Sequence, residues 1–286
     1  MKKNRLSIII TIILLIVALI LILNQTRTTN KSDISDFAVS DTSNITKIYL
    51  ADKQNRETLL EKQSNGLWKV NKDYNAIQTN VEVLLKTILN LEVKEPVPLV
   101  AHNSVVKRMA SIATKIEVYQ NVYKINFLGI KLFQQEKLTK TYFVGDATKD
   151  NLGTYMLMEN SSTPYVMHLP GFNGYLSSRY TAKLKDWRDH SIFKYKLTDI
   201  KSVKIEFVEE PHESFVCINN NNQSFSLKSL VAGKFIETYD TLKVLDFISS
   251  LRDIRFESLL NDIDTKVKDS ILSSQAFHII TIIDAN

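Results

Sequence analysis

The chain has one cysteine, five prolines and seven glycines among its 286 residues. A single cysteine cannot form an intramolecular disulfide, so the fold must rest on its apolar core even in an oxidising compartment. Few glycines and prolines argue against collagen-like and linker-rich architectures. Cys217 lies in the apolar run SFVCI, and we interpret it as a buried structural thiol.

Short motifs typical of catalytic and cofactor sites are also absent from the sequence. Its five histidines are scattered, with no His-x-x-x-His or Cys-x-x-Cys spacing, so we expect no metal site. No Gly-x-Gly-x-x-Gly or Gly-Lys-Ser/Thr loop occurs, and we predict no cofactor. The serines of GYLSSRY do not form a Gly-x-Ser-x-Gly elbow. We therefore predict no catalytic residue and expect that the protein is not an enzyme.

An excess of positive charge is absent from most of the chain. Three of the 36 Lys and Arg precede the first apolar run, which leaves 33 basic against 31 acidic residues in the remainder. Such a balanced segment lacks the basic surface that nucleic-acid binding needs. We expect no nucleic-acid partner.

The N-terminus carries a long apolar run. Lys2, Lys3 and Arg5 precede a segment that extends from Leu6 to Leu23. As a helix rising about 1.5 Å per residue, this segment nearly crosses a hydrocarbon core about 30 Å thick. A cleaved signal peptide is the alternative, but no small-x-small site follows the run. The basic flank predicts a cytoplasmic N-terminus, an anchor in the inner membrane and a periplasmic main domain.

The segment after the predicted anchor alternates strand and helix patterns. A polar tether, NQTRTTNKSDISD, leads into the strand patterns ITKIYLAD, ETLLEK and LWKV, which are separated by turn residues. Apolar residues then recur at three- and four-residue steps in NAIQTNVEVLLKTILNLEV. This pattern predicts an amphipathic helix that covers one face of a small antiparallel meander.

The same order of patterns recurs later in the chain. IKSVKIEF, ESFVCI and DTLKVLDFISSLRDIRF resemble the first strand, the second strand and the helix. Four apolar helix positions correspond at a constant offset of 160: Leu84, Leu85, Ile88 and Leu91 with Val244, Leu245, Ile248 and Leu251. We interpret this correspondence as an internal duplication.

Between the two copies lies a strand-rich block, entered through a short predicted helix from Val105 to Ile112. Its predicted strands are TKIEVYQ, VYKINFLG, TKTYFVGD, GTYMLMEN and PYVMHL. We predict an α+β fold in which tandem β-meander-plus-helix units flank this block. The predicted segments are a cytoplasmic flank and anchor (1–24), a tether (25–36), a first unit (37–98), a β-rich block (99–183) and a second unit (184–286).

The final segment, AFHIITIIDAN, looks like a further copy of NITKIYLADKQN, a strand that enters a turn. An apolar strand without a pairing strand is an exposed edge. We therefore expect either that another element covers it or that the sequence is truncated here.

Aromatic and arginine side chains concentrate before the second copy, ending in the stretch LKDWRDHSIF. Such residues either form a ligand platform, for which the candidates are Tyr180, Trp187, Arg188 and His190, or lock a joint between domains. The position at the entry to the second copy favours the joint. Asp186 and Asp189 flank the Arg188 guanidinium and are placed to satisfy it. We predict that Trp187 and Arg188 face inward.

The combined pattern TKIEVYQ, KTYFVGDATKDNLGTYMLME, PYVMHLPGFNGYLSSRY, DWRDHSIF and DIKSVKIEF resembles the Bacteroidota branch of the family called domain of unknown function 4340. The resemblance covers nearly the whole chain and implies one N-terminal membrane helix. The family is of uncharacterised function, so the resemblance brings no catalytic residues to carry over. It also implies an association, in some members, with auxiliary proteins of ABC transporters linked to gliding motility.

These observations favour a single-pass, membrane-anchored periplasmic interaction or scaffold protein of the cell envelope. One alternative is an accessory subunit of an ABC-type transporter or a gliding-related envelope complex. Another is an envelope carbohydrate binder or hydrolase that uses the region from Tyr180 to His190.

Overall fold

The computed structural model describes residues 9–16, 18–19, 36–127, 130–220, 224–260 and 263–284. The chain divides into two compact units, Met1–Arg188 and Asp189–Asn286. Among the described residues, no helix is both long and apolar enough to cross a membrane. The predicted anchor from Leu6 to Leu23 lies partly outside the described residues, and the predicted tether lies almost wholly outside them.

An antiparallel sheet dominates the first unit. Its strands in the described part of the chain are β1 (Ile45–Ala51), β2 (Glu57–Lys62), β3 (Trp68–Val70), β4 (Tyr74–Asn75), β5 (Glu92–Pro96), β6 (Thr114–Phe127), β7 (Ile130–Ala147), β8 (Thr154–Met158) and β9 (Tyr165–His168). They form a nine-stranded sheet in the order β4-β3-β2-β1-β6-β7-β8-β9-β5. The predicted first unit and β-rich block thus contribute strands to one sheet.

Alternation of side chains explains the strands at the centre of this sheet. Ile48 and Leu50 of β1 are fully buried, whereas the intervening Tyr49 is not. Ile48 pairs with Leu60 of β2 on one side and with Val118 of β6 on the other. Because opposed residues point to the same face of a sheet, these apolar positions form one continuous buried surface.

Two helices of the first unit pack on this sheet in the described residues, α1 (Gln78–Leu89) and α2 (Leu99–Ile112). Helix α1 buries Val81, Leu84 and Ile88, the stripe that its sequence period predicts. Helix α2 begins before the predicted start at Val105. The prediction missed its first turns because the sequence LVAHNS contains no apolar stripe.

The two helices lie on opposite faces of the sheet. The α1 core contains Tyr142 and Val144 of β7, whereas the α2 core includes the intervening Phe143. Successive residues of a strand point to opposite faces, so the two clusters are separate layers. Gly145 permits the close approach of α2, because a Cβ there would lie 3.1 Å from Met109 Cγ.

The strands β6 and β7 form a hairpin longer than the sequence predicts. The patterns TKIEVYQ and VYKINFLG, read as two strands, belong in the main to the single strand β6. The polar residues between them suggest a turn, but Asn121 pairs with Glu136 of β7, so the ladder continues. A register shift between Val118 and Tyr119 accommodates the irregular pairing.

The second unit has a smaller sheet. Its elements in the described residues are β10 (Ser191–Lys194), β11 (Ile200–Phe207), β12 (Phe215–Asn219), β13 (Phe225–Ser229), α3 (Thr241–Ser250), β14 (Asp253–Arg255), α4 (Thr265–Ser273) and β15 (His278–Asp284). Four strands form an antiparallel sheet in the order β13-β12-β11-β15, and β10 pairs with β14. Val244 and Ile248 of α3 pack against Ile200 and Val203 of β11 in its core.

The two units share an order of elements. In each, three antiparallel strands precede a helix, a short strand, a second helix and a strand that returns beside the first strand. Strand β4 is an addition in the first unit, and β10, which precedes β11 and pairs with β14, is an addition in the second. A duplication predicts this shared order.

The final strand has a different counterpart from the one that its sequence suggests. Strand β15 pairs antiparallel with β11, as β6 pairs with β1, so AFHIITIIDAN corresponds to the β6 segment and not to NITKIYLADKQN. The strand therefore has a pairing partner along one edge. Helix α4, which the sequence did not predict, leads into it. Asp264 caps its N-terminus, and the Asp264 side chain accepts a hydrogen bond from Lys266 N.

We expect Ile88→Ala to lower the free energy of unfolding of the first unit by about 2 to 5 kcal/mol, because it empties a fully buried site. Both tryptophans of the chain, Trp68 and Trp187, lie in that unit, so tryptophan fluorescence during urea unfolding measures it selectively. Val83→Ala, on the same helix but 44% exposed, is the control and should change stability by about 0.5 kcal/mol or less. Equal effects would contradict the assigned core face.

Candidate functional site

An irregular segment after β9 contains three of the four predicted binding residues. Residues 169–188, here called the strap, have two short 3-10 turns, Ser177–Arg179 and Leu184–Asp186. Leu176 N donates to Thr154 Oγ1 of β8 at 2.6 Å, and Thr58 Oγ1 of β2 donates to Ala182 O at 3.0 Å. The strap therefore crosses the α1 face of the sheet, and buried threonines satisfy its backbone groups.

Tyr180 lies within the core of the first unit. Its side chain is 1% exposed, and its ring meets the ring of Tyr142 edge to face at a centroid distance of 6.1 Å. Burial raises the pKa of both phenols above the ordinary value. The two phenols also affect each other's pKa, but neither hydroxyl forms a hydrogen bond of normal geometry with any described residue. The ring supplies packing, and both phenols stay neutral at physiological pH.

Trp187 also faces inward, with 3% of its side chain exposed. Its Nε1 donates to Thr181 O at 2.8 Å, and its backbone oxygen accepts from Ile77 N at 2.7 Å. The Asn80 side chain donates to Asp186 O at 2.8 Å. Ile77 precedes α1 and offers no capping side chain, so the end of the strap ties down the start of this helix.

Arg188 is partly buried at the edge of the first unit. Its guanidinium carbon lies 4.0 Å from the ring centroid of Tyr74, and its backbone forms an isolated antiparallel bridge with Ala76. Asp186, predicted to pair with it, accepts a hydrogen bond from Thr181 Oγ1 at 2.7 Å. Stacking on a ring is worth about 0.5 to 1 kcal/mol at an exposed site.

His190 belongs to the second unit. Its ring stacks on Phe256 at a centroid distance of 4.6 Å, and its backbone oxygen accepts from Phe256 N at 3.0 Å. Nearby, Asp189 Oδ1 accepts from Ser191 N and Oγ. The four predicted residues are thus divided: Tyr180 and Trp187 share one core, Arg188 lies at the edge of that unit, and His190 lies in the other unit. Ligand binding by them stays a prediction.

A groove that sequence reasoning missed lies in the second unit. It has a volume of about 600 Å³ and is lined by Lys194, Tyr195, Lys196, Asp199, Ser249, Ser250, Arg252 and Asp253. Pairing of β10 with β14 places Lys194 opposite Asp253, and Tyr195 N donates to Arg252 O at 3.0 Å. The sequence Lys-Tyr-Lys at 194–196 was the only local sign of this groove. The residues that complete its lining lie some fifty residues later in the chain, so the sequence did not reveal it.

The groove has a basic bias. Three cations line it with two carboxylates, and one of these, Asp253, receives two hydrogen bonds from the Arg255 side chain, at 2.8 and 2.9 Å. These bonds lower the pKa of Asp253 and offset its charge. Lys194, Lys196 and Arg252 are therefore the groups that a small anionic or strongly polar ligand would meet.

Two further kinds of reactive group are present, the thiol and the metal-ligating side chains. Burial raises the pKa of the Cys217 thiol to about 11, so it is protonated at neutral pH. No cluster of three or more metal-ligating side chains occurs in the part of the chain that the structure describes.

Comparison with known proteins identifies a family but no activity. Residues 68–274 match the family model described as domain of unknown function (DUF4340), which confirms the predicted family. Searches of curated proteins and of solved structures each found no match.

We expect Tyr180→Phe to leave the first unit equally stable or to stabilise it by about 1 kcal/mol, because it removes a buried hydroxyl that lacks a partner. Tryptophan fluorescence during urea unfolding provides the measurement. Tyr175→Phe, at a residue 44% exposed, is the control and should have no effect. A loss of more than about 1 kcal/mol in Tyr180→Phe would show that this hydroxyl is bonded.

The raised pKa values of Tyr142 and Tyr180 also predict a loss of stability at alkaline pH. Above about pH 10 the unfolded chain loses phenolic protons that the folded chain retains, so the free energy of unfolding falls as pH rises. Below that pH the contribution is fully present. The slope between pH 10 and 11 should be smaller in Tyr180→Phe than in the unaltered protein, and equal slopes would contradict the assignment.

Proposed function

The chain belongs to the family described as domain of unknown function (DUF4340), and we propose that it is a single-pass, membrane-anchored interaction or scaffold protein of the cell envelope. In this proposal the chain comes from the Bacteroidota branch, its N-terminus lies in the cytoplasm, and both folded units lie in the periplasm. It performs no catalysis.

The exposed apolar N-terminal helix carries this proposal. Residues 9–16 are helical, and their large apolar side chains are 50% to 65% exposed. Such exposure suits a helix surrounded by lipid. Lys2, Lys3 and Arg5 precede them, which supports an N-terminus retained in the cytoplasm.

The use of the aromatic residues supports a role in interaction and not in catalysis. Tyr180 and Trp187 of the strap are buried in the core of the first unit, and the Cys217 thiol is buried and protonated. The groove of the second unit suits contact with another envelope protein. ABC transporter components, in a transport or gliding complex, are the alternative partners that the family resemblance implies.

We expect the full chain to remain in the membrane pellet after alkaline carbonate extraction, because an apolar helix holds it in the bilayer. Alkaline phosphatase fused to the C-terminus should be active, and green fluorescent protein at the same position should stay dark. Deleting residues 2–24 should move the chain to the soluble fraction. A fluorescent C-terminal fusion would overturn the proposed topology.

A second candidate function, binding of an acidic carbohydrate, is favoured by the groove of the second unit. Three cations and Tyr195 line an open depression large enough for a monosaccharide. Carboxylates and hydroxyls would accept hydrogen bonds from Lys194, Lys196 and Arg252.

For this second candidate, we expect glucuronate to bind more tightly than glucose in calorimetric titrations, because only glucuronate carries a carboxylate. Arg252→Ala should weaken glucuronate binding about tenfold, the effect of losing one charged hydrogen bond. Lys243→Ala, an exposed change outside the groove, should have no effect. Equal affinity for both sugars would exclude recognition through the cations.

A further inference from the structure

The β6–β7 hairpin extends beyond the sheet of the first unit. Strand β1 pairs with β6 only as far as Gln120, and β8 pairs with β7 only from Tyr142 onward. Beyond these points, within the described residues, the two strands pair only with each other. We call this part of the hairpin, residues 121–127 and 130–136, the arm. At about 3.3 Å per residue, its β6 half is about 20 Å long.

The arm has no core of its own among its described side chains. None of the side chains at residues 121–125 and 131–136 is buried. Ile125, Leu132 and Phe133 are 38%, 46% and 68% exposed. A two-stranded hairpin that packs against no further element is marginally stable in water. The arm therefore presents apolar side chains that the described part of the chain does not cover.

Phe133 also has an unusual backbone conformation. Its φ is +56°, in the left-handed region that bulky residues seldom adopt. The ladder continues on both sides of it, through the pairs Ile125–Leu132 and Tyr123–Gln134. Local strain of this kind is concentrated at functional and ligand-contacting positions. Phe133, the most exposed of the three apolar side chains, is therefore a candidate contact residue.

Positive charge accompanies these apolar side chains. Lys124 and Lys131 each lie directly before one of them in the chain, and both lysines are exposed. The single carboxylate of the arm, Glu136, lies at its base and accepts a hydrogen bond from Lys47 Nζ at 2.9 Å. The arm's own sequence therefore offers no free carboxylate to the two lysines nearer its far end.

Apolar side chains interleaved with lysines suit the surface of an anionic bilayer. Apolar groups there enter the boundary between headgroups and acyl chains to a depth of about 5 to 10 Å, and lysine ammonium groups reach the lipid phosphates. A specific protein interface takes about 20 to 30 residues from each side, which is more than the end of a two-stranded arm provides. The charge and the small size of the exposed cluster therefore favour lipid.

We propose that the arm is a second membrane contact, which inserts into the surface of an anionic phospholipid bilayer. Ile125, Leu132 and Phe133 enter the acyl boundary, and Lys124 and Lys131 bind lipid phosphates. The inference rests on the proposed N-terminal anchor only because that anchor holds the chain at a bilayer. Such tethering raises the effective concentration of the arm at the surface, so a weak contact is sufficient.

Fluorescence of the full chain in vesicles tests this contact. In a Cys217→Ala background, Leu132→Cys carries a nitrobenzoxadiazole fluorophore. In phosphatidylglycerol vesicles its emission should shift to the blue, and lipids spin-labelled on their acyl chains should quench it. Quenching should be at least threefold weaker in phosphatidylcholine vesicles, because the lysines meet no net negative charge there. Flotation with phosphatidylcholine vesicles reports on the anchor, so failure of the anchor and failure of the arm give different results.

Leu152→Cys is the matched control. Leu152 is also 46% exposed, but it lies between β7 and β8, at the end of β7 remote from the arm. Its fluorophore should be quenched in neither kind of vesicle. Equal quenching at both positions, or equal quenching of the Leu132→Cys fluorophore in both lipids, would overturn the proposal. A blue shift without quenching would do so too, since protein, a second copy included, would then cover the arm.

Charge reversal tests the two lysines with the same fluorophore. Lys124→Glu combined with Lys131→Glu should lower quenching in phosphatidylglycerol vesicles at least threefold, because the arm then carries the charge of the lipid. Lys53→Glu combined with Lys149→Glu changes the net charge equally at positions outside the arm and should leave quenching unchanged. All four lysines are exposed, so each variant should keep the fold, as checked by circular dichroism. Unchanged quenching in the arm variant would contradict binding of phosphates by its lysines.

Discussion

Covering one face of the large sheet is the constraint on which the first unit depends. Nine strands spaced about 4.8 Å apart make a sheet about 38 Å wide, whereas the twelve residues of α1 give a helix about 18 Å long. One helix cannot cover such a face. The strap covers further parts of it with Leu176, Tyr180, Ala182 and Trp187, and it is held by Thr154 on β8 and Thr58 on β2.

This constraint explains the concentration of aromatic residues before the second unit. A segment without regular structure buries area efficiently only through large side chains, and its backbone groups need buried partners. Arg179 and Arg188 are only partly buried. The guanidinium of Arg179 lies over the ring of Phe172, and that of Arg188 lies over the ring of Tyr74. The segment that looks richest in chemistry is therefore engaged in packing.

The second unit repeats the order of the first with less cover. Its helix α3 buries Val244 and Ile248 over the sheet, as α1 does in the first unit, but no described element stands where β7 lies beside β6. The groove beside β10 and β14 remains open at the surface of this unit.

Local periodicity in the sequence determined much of the fold. The apolar stripe of α1 and the alternation in β1 and β11 predicted these elements, because a half-buried helix or strand shows its period regardless of what it packs against. The apolar N-terminal run and the family pattern are likewise properties of the sequence. Short strands such as β5, β10 and β14 exist only through pairing and left no such signal.

Only the tertiary structure decided how the neighbouring residues of LKDWRDHSIF are used. Trp187 and His190 are three residues apart, yet they belong to different units, because packing and not chain distance sets which core a side chain enters. The groove residues Lys194 and Asp253, far apart in the chain, meet because β10 and β14 pair. Sequence alone determined which side chains were available, whereas strand pairing and the need to cover the sheet decided which were buried and which remained exposed.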